Sequence, residues 1–180
     1  MLRVLVTGLL SLVLLVAGSV LVYDQREISP YVPTIRGILE NSAQEDRNVP
    51  TNVRNFIWKV EDTRNIDQVV VRNLLPGRYG SMRSGLWHFR GRAWSLLLPL
   101  HFDKPTRIAL YCHFLVYEDG HGLSNASNFY FHKQPHELST EEVAAILAID
   151  RSPFGNSPTR HPDRFEQARA RYLTAFETSQ

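Results

Sequence analysis

Hydrophobic positions fall along the chain in several regimes. Val4 to Tyr23 is a run of 20 residues without a charge, rich in Leu and Val. At about 1.5 Å per residue, a helix of that length crosses a hydrocarbon core of about 30 Å. The run therefore predicts a membrane-spanning helix over residues 1–23. Arg3 precedes it, Asp24, Gln25, Arg26 and Glu27 follow it, and Tyr23 sits where interfacial aromatics sit. Arg3 is the positive charge on the short side, which places the N-terminus in the cytoplasm and the rest of the chain outside it. The competing reading is a cleaved signal peptide, with Ala17 and Ser19 as a small-x-small site. The apolar run continues through Val20, Leu21 and Val22, and its length favours an uncleaved anchor.

Residues 24–48 are polar and carry Pro30 and Pro33, so they read as a linker with one short helix around Thr34–Glu40. A domain is expected over 49–176. In it, Val53, Phe56, Ile57 and Val60 recur at helical spacing, as do Ile66, Val69, Val70 and Leu74. Pro76, Gly77 and Gly80 predict a loop. Trp94–Leu100 is an apolar run, and Ile108–Tyr117 is either a strand or a buried helix, a choice periodicity alone does not make. Gly120 and Gly122 predict a turn. Ser139 with Glu142 three residues on forms a capping box, opening a helix over Glu141–Ile149 whose Val143, Ile146 and Leu147 face a core. After a proline-rich loop, His161-Pro162 opens a last helix running to about Phe176.

Composition narrows the classes. Hydrophobic residues make up 43% and charged residues 21%, a globular balance that argues against disorder. One cysteine, Cys112, rules out an intramolecular disulfide framework, and its apolar neighbours point to a buried, inert thiol. A formal charge of +2 gives no reason to expect a nucleic-acid partner. The 7 histidines lack the spacing of a zinc site. The basic residues are skewed towards Arg, with Lys59, Lys104 and Lys133 the lysines.

Several ordered motifs resemble glycosyltransferase family 51, the peptidoglycan glycosyltransferases. Phe102-Asp103-Lys104 is similar to that family's F-S-K, and Leu110-Tyr111 falls on the tyrosine of I-L-E-x-Y-L-N. Gly120-His121-Gly122-Leu123 with Ala126-Ser127 resembles G-x-x-G-I-E-A-A-S, and Phe129-Tyr130-Phe131-His132-Lys133 resembles Y-Y-F-G-K. Glu137 to Ala144, Asn156-Ser157-Pro158, His161-Pro162 and Arg169 complete the order. Upstream, Val49 to Asp62 resembles I-P-x-N-L-x-x-A-F-I-A-x-E-D, whose glutamate is the family's catalytic base and falls on Glu61. The departures are specific. Thr63-Arg64-Asn65 replaces F-x-x-H-x-G, the Gly-Gly-Ser-Thr-Ile-Thr-Gln-Gln motif is reduced to Gly80-Ser81-Met82, and the glutamate of I-L-E-x-Y falls on Ala109.

The resemblance implies a mainly α, lysozyme-like transglycosylase domain behind one N-terminal transmembrane helix. It implies a single-pass protein of the bacterial inner membrane with its domain in the periplasm, acting on lipid II or glycan strands. Glycosyl transfer needs a base for the attacking sugar hydroxyl and positive charge for the departing lipid pyrophosphate. Glu61 is the candidate base, and Lys104, Arg107, Arg90 and Arg92 are the candidate substrate contacts. The composition calls for no cofactor, while the family would allow a divalent cation such as Mg. The losses keep a second reading open: a non-catalytic relative that binds lipid-linked precursor, glycan or a cell-wall synthesis partner. Each candidate also has a plainer reading. Glu61 and Asp62 suit a solvated acidic pair, Lys104 suits a surface turn, and Arg90 and Arg92 suit packing against Trp87 and Trp94.

Overall fold

The computed structural model describes residues 2–79 and 86–179, so the Gly80-Ser81-Met82 motif lies outside the described residues. The first apolar run is helix α1 (Leu2–Tyr23). A π-helical stretch over Asp24–Ile28 and a 3₁₀ turn over Ser29–Tyr31 carry it into α2 (Val32–Glu40). Val6–Glu40 is thereby one helical rod of 35 residues, long and apolar enough at its N-terminal end to cross a membrane. The stretch expected as a linker is largely helical and packed. Ile28, Ile35 and Leu39 join the core, and α3 (Gln44–Arg47) buries Asp46. Pro30 and Pro33 each sit in the first turn of a helical segment, where a missing N–H costs nothing.

Helix α4 (Thr51–Val60) buries Val53, Phe56 and Ile57 along one face. Helix α5 (Thr63–Tyr79) buries Ile66, Val70, Val71, Leu74 and Leu75. It runs through Pro76 and Gly77, where a loop was expected. Its last turn is held from outside. Tyr79 meets Trp94 edge-on at 6.2 Å between ring centroids and donates to Glu27. A Cβ at Gly77 would lie 3.1 Å from the Tyr31 hydroxyl.

Helix α6 (Leu86–Leu97) ends in a 3₁₀ turn, Leu98–Leu100. Helix α7 (Lys104–Phe114) starts at Asp103, whose carboxylate accepts from the Thr106 N–H at 3.0 Å. Residues 107–112 of α7 are all buried. A helix enclosed on every side shows no apolar stripe, which is why periodicity could not separate it from a strand. A short antiparallel pair follows, β1 (Val116–Tyr117) with β2 (Gly120–His121).

Helix α8 (Leu123–Phe131) is capped from a distance: Asp46 Oδ1 accepts from both the N–H and the hydroxyl of Ser124, each at 2.7 Å. Gly122 has φ 98°, and a Cβ there would come within 2.8 Å of Asp46 Oδ2, so both backbone and space demand glycine. Helix α9 (Thr140–Arg151) buries every residue from Val143 to Ile149 and carries the expected capping box at Ser139. Helix α10 (Pro162–Thr178) packs on α9 and α4, with Phe176 stacked on Phe56 at 4.7 Å. The fold is mainly α, as the sequence implied.

Candidate functional site

Glu61 ends α4. Its N–H still bonds the Ile57 carbonyl at 2.9 Å, while its own backbone turns extended and redirects the chain into α5. The side chain is thereby held at a corner between two helices and is buried. Tyr172 of α10 donates its hydroxyl to Glu61 Oε1 at 2.8 Å, and the Asn65 side-chain amide donates to Oε2. Burial, the charge of Glu61 and this bond all push the Tyr172 phenol far up, so it stays a protonated donor. Each carboxylate oxygen has two lone pairs, so one on each remains for an incoming proton.

Glu61 faces a cleft of about 730 Å³ that Arg151, Arg164 and Arg171 also line, with Asn156 and Gln167 between them. Arg164 and Arg171 project from α10 two turns apart. Asp150, at the end of α9, accepts the Val116 N–H at 2.7 Å. Its pKa is pushed up to about 6, first by burial, with the Glu61 charge adding to it.

The other sequence candidates are placed differently. Arg107 is buried, with one guanidinium nitrogen 2.6 and 2.5 Å from the two oxygens of buried Asp67. That ion pair holds α7 to α5 and leaves Arg107 committed to Asp67 rather than to an open face. Lys104 lays its ammonium 3.2 Å from the centre of the Trp58 ring, and burial lowers its pKa. Arg90 lies over Tyr79 at 4.2 Å, on the side of the molecule where Tyr79 meets Glu27. Arg92 lines a groove of about 350 Å³ together with Arg72 and His88, and Asn65 borders both this groove and the Glu61 cleft. Ala109 opens into a further cleft of about 640 Å³ whose charged walls are Arg36, Arg47, Arg54 and Glu40.

At the Ala109 cleft the side chains offer a divalent cation one carboxylate, Glu40, among three arginines. Mg²⁺ requires several oxygen ligands in octahedral array. The position where the family carries a carboxylate is Ala109, beside three arginines. No group of three His, Cys, Asp or Glu side chains comes together among the described residues. Cys112 is fully buried and its thiol is pushed well up by desolvation, which makes it inert.

A family model described as transglycosylase matches residues 65–177, more than half of the chain. The chain belongs to the transglycosylase family. Penicillin-binding protein 1F of Bacillus subtilis (strain 168) is a relative, 32% identical over 69 residues. That match covers 38% of this chain and 10% of the relative's length. The transglycosylase match contains Arg90, Arg92, Lys104 and Arg107, and also the cleft arginines and Tyr172. Glu61 lies just ahead of it. Sequence reasoning missed Arg151, Arg164, Arg171, Tyr172 and Asn65. The available signal was the spacing of Arg164, Ala168, Arg171 and Ala175, which marks one face of α10.

Proposed function

We propose that this chain is a membrane-anchored, peptidoglycan glycosyltransferase-like protein whose Glu61 cleft takes a pyrophosphate-linked sugar such as lipid II, or a glycan strand. The observation that carries this reading is one buried carboxylate and three arginines lining the same cleft. In the reaction, Glu61 takes the proton of the attacking sugar hydroxyl as that oxygen bonds the donor's anomeric carbon. The bond from that carbon to the pyrophosphate oxygen breaks, and Arg151, Arg164 and Arg171 offset the charge of the departing diphosphate. Tyr172 and Asn65 hold the carboxylate in one orientation throughout. Helix α1 keeps the domain beside a lipid-borne substrate at the outer face of the inner membrane.

A second reading, binding without turnover, is favoured by Ala109, where the family's second carboxylate is missing, and by the commitment of Arg107 to Asp67. Polymerisation of lipid II by the purified full chain separates the two. The enzyme reading expects polymer from the wild type and a loss of about 10²-fold or more in Glu61→Gln, which keeps the size and one accepting oxygen but not the base. The binding reading expects no polymer but retention of lipid II, weakened by Arg164→Ala with Arg171→Ala. Robust polymerisation that Glu61→Gln does not change refutes the assignment of Glu61.

A further inference from the structure

We infer that the cleft between α2, α3 and the start of α4 is a second anion site, one that takes a water-borne phosphate ligand. Arg36 of α2, Arg47 of α3 and Arg54 of α4 all line this cleft of about 640 Å³. Its one lining carboxylate is Glu40, so two positive charges are left over. The ion pairs among the described residues are His101 with Asp24, Arg107 with Asp67, Lys133 with Glu142, Arg160 with Glu118 and Arg169 with Glu166. None of the three cleft arginines is therefore spent on a carboxylate. Each is nevertheless held in place. Arg47 donates to the Glu40 carbonyl at 3.1 Å, Arg54 donates to the Thr51 hydroxyl at 3.3 Å, and Arg36 lies 6.0 Å from the centre of the Phe102 ring. A guanidinium has five N–H donors, so each of these contacts leaves most of them for a ligand.

The chemistry of the lining selects phosphate. A guanidinium fork matches phosphate oxygens two at a time, and cations from three different helices suit a tetrahedral group, whose oxygens leave any single plane. Pro50 and Thr51 line the cleft at the start of α4, whose first turn no side chain caps, so the positive end of that helix adds to the field. Ala109 stands in the same wall where the family carries a carboxylate, and the charge that would repel an anion is gone. This site is separate from the Glu61 cleft. The two share no lining residue, and the ten residues of α4, about 15 Å, lie between them. All three arginines also precede residues 65–177, the stretch that the transglycosylase model matches. Arg36 stands thirteen residues beyond Tyr23 on the helical rod, about 20 Å along it. That lifts the cleft away from the level at which α1 leaves the membrane, to where a dissolved ligand meets it.

Calorimetric titration of inorganic pyrophosphate into the full chain in non-ionic detergent tests this, with thermal melts to check the fold of each variant. Arg164→Ala with Arg171→Ala removes the contribution of the Glu61 cleft, and pyrophosphate should still bind. Adding Arg36→Gln with Arg54→Gln should then weaken binding about 10-fold or more. Glu40→Gln in the same background should tighten it about 2- to 5-fold, a gain that no misfolded chain would give. If Arg164→Ala with Arg171→Ala abolishes binding, pyrophosphate goes to the Glu61 cleft alone, which overturns this inference and leaves the proposed function standing. An equal loss from Arg26→Gln with Arg78→Gln, exposed arginines elsewhere, means that net charge alone attracts the ligand, which also overturns it. A wild type that binds no pyrophosphate does the same. The last arm separates dissolved phosphate from lipid headgroups. The affinity ratio between the chains with and without Arg36 and Arg54 should be equal in phosphatidylcholine vesicles and in vesicles that also hold phosphatidylglycerol, because the surface potential acts on both chains alike. A ratio that falls to one when phosphatidylglycerol is present means that headgroups already fill the cleft, and the water-borne ligand is refuted.

Discussion

Helix α9 and the corner between α4 and α5 lie in the same domain but are built on opposite principles. In α9, Val143 to Ile149 are buried without a polar side chain among them, and the helix start is closed by its own capping box. At the corner, Glu61, Asp67 and Arg107 are all buried, and each depends on a partner distant in sequence or on another helix. Apolar burial stabilises α9 wherever its neighbours fit, at about 25 cal/mol per Å². Buried charge contributes little net stability but punishes the loss of one partner severely. The fold is therefore robust at α9 and brittle at the corner, and the brittle part is the part that holds the candidate base. A site that needs a carboxylate out of bulk water has to accept that exchange.

The sharpest way to break this contrast is Asp67→Ala. It strands the buried Arg107 guanidinium, whose side chain and partner are 8 and 5% exposed, and should cost about 3–5 kcal/mol in urea unfolding of the detergent-solubilised chain. The double replacement Asp67→Leu with Arg107→Met removes both charges and should recover most of that loss. A single-variant cost below about 1 kcal/mol would mean the pair is solvated, and the corner would not differ from an ordinary surface.

The same contrast explains what the sequence disclosed. The spanning run and the α9 cap were legible because each signal is contained within a few consecutive residues. The family order from Phe102 to Arg169 was legible for the same reason, as a chain of local motifs. The stretch 24–48 was read as a linker because Pro30 and Pro33 interrupt it, yet Ile28, Ile35 and Leu39 already stood seven and four residues apart, a helical face. Glu61 was legible as a candidate through its motif, but Tyr172 is 111 residues away and the arginines carry no pairing signal of their own. The positive charge that a departing pyrophosphate needs points to Arg107 as a substrate contact. Its partner Asp67, 40 residues earlier, could be found only once α5 and α7 were side by side.

Asp150 connects the two regions, since it closes α9 and feels Glu61. Its pKa of about 6 lies above the ordinary 3.8, so the native state holds its proton more tightly than the unfolded chain does. Its contribution to stability is therefore fully present below about pH 4 and is lost as pH rises towards 6. Asp150→Asn keeps an acceptor for the Val116 N–H but does not titrate, so it should flatten that decline, by at most about 3 kcal/mol across the window. Thermal melts at pH 4, 5 and 6 read the difference. Glu61→Gln should lower the Asp150 midpoint, because a like charge is removed. If the two variants leave the pH profile of the wild type unchanged, Asp150 is solvated and α9 does not sense the corner.

The smallest effect belongs to Ser139→Ala, at the end of α9 far from any buried charge. The Ser139 hydroxyl oxygen accepts the Glu142 N–H at 3.3 Å, and Glu142 Oε2 accepts the Ser139 N–H at 2.8 Å in return. Alanine removes the first of these bonds and the exposed one that the hydroxyl donates to Glu141 Oε2 at 2.8 Å. The Ser139 backbone N–H keeps its acceptor, and Glu142 keeps its ion pair with Lys133 at 2.6 Å. The freed Glu142 N–H is on the exposed side of the helix end, where water takes over part of the lost bond. The cost should then be about 1 kcal/mol, inside the usual range for a lost cap and several times smaller than that of Asp67→Ala. Urea unfolding under the same conditions gives both numbers on one scale. Equal losses for the two variants would remove the distinction between a locally closed helix and a corner held by remote charge.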